Sequence, residues 1–370
     1  MKVLLISTSE RTGGGAIAAN RLLHALLANG VEARMLVRDR QTSDPAVSAV
    51  GSLWPKVKER LRLMWLLRTS LKHTWEYDLM SDGVDIFSTR EYQEADIVHL
   101  HWVNQGMLSA EQVKRMVSSG KKVFWTLHDE WPYMGFGHYQ SDAMRHRTLS
   151  QARRMTIQQQ LSSRQIHFIG CSEWITRRAR EAMPLSQVTH INNCIPTSLF
   201  HPLAMSEARE ALSLPKDGRI VLFCAQNIND ERKGLRYLEE ALRQQPSVTP
   251  LIIGRGGLSL PPDKMPLAYA AADVFVTPSL EDNLPNTIAE SLSCGTPCVA
   301  FRVGGIPEMI AHLETGYLAE PRNAADLARG ISHVLSHPEC RSAAARSALT
   351  LFSPEKIAQE HLSLYLKDLS

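Results

Sequence analysis

Short apolar runs alternate with amphipathic helical patterns along most of the chain, and together they predict an α/β fold. The first run, KVLLIS at residues 2–7, is followed by Gly13-Gly14-Gly15 and by apolar positions at helical spacing up to Asn29 and Gly30. Similar apolar runs occupy residues 33–37, 96–102, 122–129 and 167–172. Strands separated by helices in this rhythm predict a parallel sheet with crossover connections.

The alternation stops at residues 194–218, which hold three prolines and little periodicity, so we predict a linker there. A second series of apolar runs follows at residues 219–226, 249–256, 272–279 and 296–301. We therefore expect two doubly wound, Rossmann-like domains, residues 1–193 and 219–351. Ligands of open parallel sheets bind beyond the carboxyl ends of the strands, so the two sheets are expected to face each other across a cleft that holds the chemistry.

Composition indicates an ordinary globular protein of 370 residues, with 44% hydrophobic and 21% charged positions. No apolar stretch reaches the roughly 18 residues of a membrane span, and the N-terminal run is too short for a signal peptide. The six cysteines lack CxxC spacing and form no zinc pattern with histidine. We predict reduced thiols, no metal site and a cytoplasmic location.

Charge is divided unequally between the two halves of the chain. Residues 1–185 hold 25 Lys and Arg against 18 Asp and Glu, a balance of +7. The remaining residues hold 16 against 20, a balance of −4. A basic first half and an acidic second half indicate domains with different partners.

The glycine run before the first helix is the first candidate site. Backbone N–H groups of Gly14 and Gly15 can approach an anion there, and the helix dipole adds positive charge. The alternative is a tight strand-to-helix turn. The run is not GxGxxG, but Asp39 follows the second strand, which leaves a nicotinamide site as a weaker alternative.

The second candidate is the segment DNLPNTIAE at residues 282–290, which follows the apolar run 272–279. Its N–H groups at a helix start can hold a pyrophosphate, while its two carboxylates bind hydroxyls. The alternative is a capped helix with solvated acids. The candidate residues are Asp282, Leu284, Asn286, Thr287 and Glu290.

Two further candidates are basic or titratable residues at the ends of strands. Lys233, next to Arg232, can neutralise a phosphate, or the pair is simply solvated. His128 lies in the aromatic and glycine-rich segment WTLHDEWPYMGFGHY, beside Asp129. Other histidines of the first half are interpreted as structural residues: His99, His101 and His138.

Four passages of the chain together carry a resemblance to a known family. The most specific is ADVFVTPSLEDNLPNTIAESLSCGTPCVAFRVGGIPEMI at residues 272–310. The others are residues 13–37, HLHWVNQGMLS with WTLHDEWPYMGFGHY at residues 99–109 and 125–139, and TGYLAEP at residues 315–321. Together these passages resemble glycosyltransferase family 4, whose members have the GT-B fold, and within it the branch of capsule, colanic-acid and other exopolysaccharide clusters.

The resemblance implies a role for each acid of the family's two-glutamate motif. Glu290 falls on the acid that binds the nucleotide ribose, and Asp282 falls on the acid that contacts the donor sugar. Asp282 departs from the family pattern, because Glu is usual there and Asp is shorter by one methylene.

The remaining implied roles concern the phosphates and the reacting carbon. Lys233 falls on the residue that holds the donor diphosphate, and Asn227 stands where the family often has an Arg, so Arg232 is the substitute we consider. Gly14 and Gly15 match the loop under the phosphates. His128 falls on the histidine near the reacting carbon, in the acceptor-side first domain.

The activity implied by the resemblance is a retaining transfer from a UDP-sugar or GDP-sugar without a metal ion. Consistent with this, the chain has no DxD motif. The acceptor would be a glycan or a polyprenyl-diphosphate-linked oligosaccharide in surface or exopolysaccharide biosynthesis. The GT-B fold also implies that the terminal helix, residues 352–370, returns to the first domain.

Residues 54–75, WPKVKERLRLMWLLRTSLKHTW, combine tryptophan and leucine with six basic residues. This composition fits a helix on an anionic membrane surface at the inner face of the plasma membrane, or a packed helix with a solvated basic face. The basic first half would also attract nucleic acid, but no binding motif supports it.

Two other classes of function stay open at this point. One is a different enzyme on the same fold, such as a nucleotide-sugar epimerase or a glycan phosphorylase. The other is a non-catalytic, glycosyltransferase-like binding subunit, which Asp282 and Asn227 would favour.

Overall fold

The two predicted sheets are both present in the computed structural model, which describes residues 1–70, 74–161 and 165–369. The chain divides into two compact units, Met1–Asn192 with Glu355–Ser370 and Asn193–Pro354. All strand pairs within the two sheets are parallel. The predicted α/β class with two doubly wound sheets is confirmed.

The first unit is built on a seven-stranded sheet with the order β3-β2-β1-β4-β5-β6-β7. Its inner strands are buried along almost their whole length because helices cover both faces of a parallel sheet. The strands are β1 (Lys2–Ser9), β2 (Glu32–Asp39), β3 (Val47–Ala49), β4 (Ile97–Leu100), β5 (Lys122–Leu127), β6 (Ile166–Gly170) and β7 (Gln187–His190).

The helices between these strands include several that begin at polar caps. Ser109, for example, forms a capping box with Gln112 at the start of the fourth helix, and Ser172 accepts from the N–H of Ile175 at the start of the eighth. The helices are α1 (Gly14–Ala28), α2 (Trp54–Leu67), α3 (Arg90–Glu94), α4 (Ala110–Ser118), α5 (Trp131–Met134), α6 (Gln140–Arg145), α7 (Arg147–Leu161) and α8 (Glu173–Ala182).

Helix α2 is shorter than the basic segment 54–75 in which it lies. It ends at Leu67 because Arg68 adopts a left-handed conformation with φ of 49°, which stops the helix. Residues 71–73 of the predicted segment, including Leu71 and Lys72, lie outside the described residues.

The second unit is built on a five-stranded sheet with the order β12-β11-β10-β8-β9. Its strands are β8 (Arg219–Asn227), β9 (Val248–Arg255), β10 (Val274–Thr277), β11 (Cys298–Phe301) and β12 (Gly316–Ala319). Its helices are α9 (Met205–Ala211), α10 (Leu235–Leu242), α11 (Met265–Ala271), α12 (Asn286–Ser293), α13 (Ala324–Ser336) and α14 (Cys340–Phe352).

Residues 194–218 differ from the predicted linker, because they belong to the second unit and contain α9. Ala208 of α9 packs with Ala270 and Ala271 of α11 in a small apolar cluster. Arg209 is buried and donates to Asp273 at 2.9 Å and to the Ala271 carbonyl at 3.0 Å. The prolines around this short helix hide its periodicity in the sequence.

The last helix, α15 (Pro354–Leu369), belongs to the first unit, and it begins two residues later than the predicted 352. Tyr365 is fully buried, and its hydroxyl lies 2.6 Å from Nδ1 of His99 on β4. Asp368 lies 3.0 Å from Nδ1 of His167 on β6. These contacts explain why a C-terminal segment is part of the N-terminal unit. Among the described residues, no helix is both long enough and apolar enough to cross a membrane.

Candidate active site

In the second unit, two predicted site residues that are distant in sequence are in direct contact. Strands β8 and β10 are neighbours, so the loops at their carboxyl ends lie side by side. Lys233 follows β8 and Asp282 follows β10, and the Lys233 Nζ lies 2.6 Å from Asp282 Oδ2. The Asp282 side chain is 11% exposed and the Lys233 side chain 35%, so the pair lies at an accessible edge of the sheet.

The position of Lys233 is set by a short 3-10 helix, Glu231–Lys233, and by the glycine after it. Asp230 caps this turn by accepting from the Arg232 N–H at 3.0 Å. Gly234 has φ of 70°, and a Cβ there would lie 2.0 Å from the Pro278 carbonyl oxygen. Only glycine fits this close approach between the two loops, and the approach brings Lys233 toward Asp282.

Arg232 has a different environment from Lys233, although both were predicted to bind the donor. The Arg232 guanidinium contacts Asp230 at 3.0 Å on its own turn. Lys233 is therefore the basic residue of this turn that the structure brings to Asp282. The side chain of Asn227, at the end of β8, accepts from the Asn229 N–H at 3.2 Å and closes the start of the loop.

The backbone of a second glycine, Gly304, packs closely against the loop that carries Asp282. Gly304 has φ of 55°, and a Cβ there would lie 1.7 Å from the Asp282 carbonyl oxygen. The N–H of Gly305 donates to the Asn283 carbonyl at 2.9 Å. The VGG passage of the sequence thus fixes the backbone of the acidic loop.

Helix α12 begins at Asn286, directly after this loop, with Pro285 at the cap position. The dipole of a helix gives its first turn positive character, so this end of α12, with Asn286 and Thr287, suits an anion. Leu284 is buried before the helix start. Leu284 thus lies in the same loop as Asp282, and Asn286 and Thr287 begin the helix that follows it.

Glu290 lies one turn inside α12 and is 7% exposed. Tyr269 of α11 donates from its hydroxyl to Glu290 Oε2 at 2.8 Å, and Cys224 Sγ of β8 lies 3.5 Å from the same hydroxyl. Burial raises the pKa of Tyr269 well above its ordinary value, so its hydroxyl remains a donor. The carboxylate of Glu290 is therefore oriented by a fixed partner.

In the first unit, His128 is paired with another histidine. His101 follows β4 and His128 follows β5, and because these strands are neighbours the two rings stack with centroids 5.3 Å apart. His101 Nδ1 lies 3.0 Å from His128 Nε2. Burial lowers the pKa of His128 to about 4, against the opposing charge of Asp129. His128 is therefore a neutral imidazole at pH 7, suited to hydrogen bonding.

Gly15 brings the start of α1 against this histidine. A Cβ at Gly15 would lie 3.1 Å from Cδ2 and Cγ of His128 and 3.2 Å from Cβ of Trp102. Gly14 is the first residue of the same helix. The structure thus brings Gly14, Gly15 and His128 together at the carboxyl ends of β1, β4 and β5.

Asp129 supports this region through a buried hydrogen-bond network. Its Oδ2 accepts from Trp102 Nε1 at 3.0 Å and lies 2.8 Å from His138 Nδ1. Burial alone would lower the pKa of His138, but the charge of Asp129 outweighs it and raises that pKa. Burial would likewise raise the pKa of Asp129, but the His138 charge lowers it.

Sequence reasoning missed the functional partners of two predicted residues. His101 was interpreted as structural, although HLHW and TLHD end neighbouring strands and this parallel could have revealed the pair. Tyr269 carries no motif and lies inside α11, so nothing in the sequence connects it to Glu290. His99 fits its structural interpretation, because it is buried between Tyr365 and Thr126.

The arrangement offers one cation, two carboxylates and the N–H groups of a helix start within the second unit. Among the residues that the structure describes, no cluster of three His, Cys, Asp or Glu side chains has a geometry suited to a metal ion. Lys233 and the start of α12 can hold a phosphate group, and Glu290 can accept hydrogen bonds from hydroxyls.

Solved structures share this fold over almost the whole chain. Sucrose-phosphate synthase from Thermosynechococcus elongatus has a TM-score of 0.74 and 22% identity, covering 100% of this chain and 99% of that one. HepE from Anabaena, in complex with UDP-glucose, has a TM-score of 0.70 and 18% identity, covering 99% and 100%. The two sheets are those of the GT-B fold.

The sequence matches define the family. Residues 12–199 match the model described as Glycosyltransferase Family 4, and residues 218–337 match Glycosyl transferases group 1. The chain therefore belongs to glycosyltransferase family 4. The D-inositol 3-phosphate glycosyltransferase of Acidothermus cellulolyticus is 29% identical over 187 residues, which are 42% of this chain and 42% of that protein. The match thus spans less than half of this relative's length.

Proposed function

We propose that the protein transfers a sugar from a nucleoside diphosphate sugar to a growing glycan with retention of the anomeric configuration. The contact of 2.6 Å between Lys233 and Asp282, beside the start of α12, carries this proposal. It brings together a cation and helix N–H donors, which suit a diphosphate, and an acid, which suits a sugar hydroxyl.

The leaving diphosphate is stabilised without a metal ion in this proposal. Negative charge develops on the diphosphate as the glycosidic bond breaks, and Lys233 with the N–H groups of Asn286 and Thr287 opposes it. Glu290, held by Tyr269, accepts hydrogen bonds from the ribose hydroxyls. Asp282 accepts from a hydroxyl of the donor sugar.

His128 positions the sugar rather than acting as a charged acid. Burial lowers its pKa to about 4, so the neutral ring hydrogen-bonds to the donor sugar at pH 7. The acceptor hydroxyl attacks from the face on which the diphosphate leaves, which retains the configuration.

The acceptor in this proposal is a lipid-linked oligosaccharide of surface or exopolysaccharide biosynthesis, at the cytoplasmic face of the membrane. The resemblance of the HLHW and WTLHDEWPYMGFGHY passages to that branch supports this choice. UDP-glucose is the first donor to test, because HepE was solved in complex with it.

The test is a transfer assay with UDP-glucose, UDP-galactose and GDP-mannose, each offered with a polyprenyl-diphosphate-linked monosaccharide, with and without EDTA. One donor should give a glycoside with the anomeric configuration of the donor, read from proton NMR, at the same rate in EDTA. Lys233→Ala should lower kcat/KM about 100-fold. The matched control is Lys264→Ala, an exposed lysine of the 3-10 helix Pro262–Lys264 in the same unit.

Four results would contradict parts of the proposal separately. An inverted product refutes the retaining reaction, and a rate abolished by EDTA refutes metal independence. Nucleotide binding without transfer to any acceptor or water would instead favour a binding subunit, and interconversion of the donor sugar would favour an epimerase.

A further inference from the structure

Helix α2 has one face that is anchored in the first unit. Its buried residues are Glu59, Arg60 and Leu63. Arg60 pairs with the buried Asp78 at 3.1 Å, and Glu59 accepts from the Leu79 N–H at 2.7 Å. These contacts fix the rotation of the helix about its own axis.

The opposite face of α2 exposes large apolar side chains. Trp54, Leu61 and Trp65 are 61%, 58% and 83% exposed. Their spacing of seven and four residues places all three on one stripe of the helix. Two tryptophans and a leucine on one exposed stripe indicate that this face has a partner, because apolar patches of this kind mark interaction sites.

The charges around the stripe indicate which kind of partner it binds. Lys58 and Arg62 are exposed beside it, whereas the one acid of the helix, Glu59, is buried on the other side. Arg62 pairs with Asp82, which leaves Lys58 to contribute most to the local potential. A second copy of this face would bring like charges together, so self-association is disfavoured.

A second helix, α7, packs against the anchored face of α2 and adds positive charge to this part of the unit. Helices α2 and α7 meet at an apolar cluster that contains Leu63 and Leu67 of α2 and Leu149 of α7. Helix α7 has three arginines and no acid, and its Arg147 and Arg154 are exposed. Tryptophan beside basic side chains is the pattern of helices that lie in the headgroup region of anionic bilayers.

We propose that the stripe Trp54, Leu61 and Trp65 of α2 inserts into the interfacial region of an anionic lipid bilayer, with Lys58 beside the stripe facing the headgroups. Each basic residue near an anionic surface contributes about fivefold to the binding constant. This binding goes beyond the transfer reaction and does not need the donor site, so either proposal can fail without the other.

The test is co-sedimentation of the full chain with vesicles of phosphatidylcholine alone and with about 30 mol% phosphatidylglycerol. Binding is expected only to the anionic vesicles and should be lost near 1 M salt, where the Debye length is about 3 Å. Trp54→Ser with Trp65→Ser should weaken binding at least tenfold, and Lys58→Glu more than fivefold.

The matched control is Leu349→Ser, which removes a leucine that is 60% exposed on α14 of the other unit and should leave binding unchanged. Thermal unfolding of each variant separates lost binding from lost folding. The proposal is overturned if the native chain does not co-sediment with anionic vesicles, or if the double tryptophan variant binds them as tightly as the native chain does. If the native chain is a dimer and the double tryptophan variant is a monomer, the stripe binds a second copy of the chain. If the native chain binds single-stranded DNA but not vesicles, and the double variant loses DNA binding, the stripe binds nucleic acid.

Discussion

Removing the Tyr269 hydroxyl should weaken nucleotide binding, although in this account the hydroxyl contacts Glu290 and not the nucleotide. Tyr269 is fully buried and donates to Glu290 at 2.8 Å. Tyr269→Phe keeps the ring and its packing, but leaves one oxygen of a carboxylate that is only 7% exposed without this donor. Glu290 would then be less well oriented toward the ribose.

The size of the effect follows from the kind of hydrogen bond that is lost. A hydrogen bond to a charged group contributes about 1.5–3 kcal/mol, and about 1.4 kcal/mol is tenfold in affinity. We expect the lower end of this range for the buried carboxylate of Glu290. Nucleotide affinity should fall about tenfold and unfolding free energy by about 1–2 kcal/mol.

Isothermal titration calorimetry with UDP and GDP measures the affinity, and urea unfolding measures the stability. The control is Tyr237→Phe, whose hydroxyl accepts from the guanidinium of Arg236 at 3.0 Å in the same unit. Tyr237→Phe should leave the affinity unchanged. If a folded Tyr269→Phe variant binds nucleotide as tightly as the native chain, the assigned role of Glu290 is wrong.

The remaining predictions concern the first unit. Gly15→Ala would place a Cβ 3.1 Å from the His128 ring, in the predicted phosphate loop, and should lower both the transfer rate and the UDP affinity. A native rate with native UDP affinity would argue against a role for this contact. His101→Leu should lower kcat more than it changes KM, whereas His101→Asn, which keeps a side chain able to hydrogen-bond to His128, should recover most of the rate. Equal rates for the two variants would contradict a role for this hydrogen bond. Burial, together with Asp78, raises the pKa of Glu59 from 4.5 to about 9. The native state therefore holds this proton more tightly than the unfolded chain, and unfolding free energy should fall as pH rises from 4.5 through about 9. Glu59→Gln should remove this dependence of unfolding free energy on pH, measured by urea unfolding at several pH values. An unchanged dependence would refute the assignment to Glu59.

Most strands could be predicted because each is a short apolar run that helices bury on both faces. The runs at residues 2–7 and 219–226, for example, lie within the central strands β1 and β8. Helix α9 could not be predicted, because it has seven residues between prolines and is stabilised by packing on α11 and by the Arg209–Asp273 pair.

The candidate site was predictable in its residues but not in its contacts. Asp282 and Glu290 share one motif, so their proximity follows from the sequence. The contact of Lys233 with Asp282 depends on β8 lying next to β10, although β9 lies between them in sequence. The pairing of Tyr269 with Glu290 depends on how α11 packs against α12, which no local pattern encodes.

The account's central claim is that the donor nucleotide binds at the loops after β8 and β10. Hydrogen exchange measured by mass spectrometry, with and without saturating UDP or GDP in EDTA, tests it most directly, because bound backbone groups open less often. The account predicts that one nucleotide protects peptides covering residues 227–234 and 282–290, and that Lys233→Ala loses this protection. Protection confined to other segments, with these two unchanged, would contradict it.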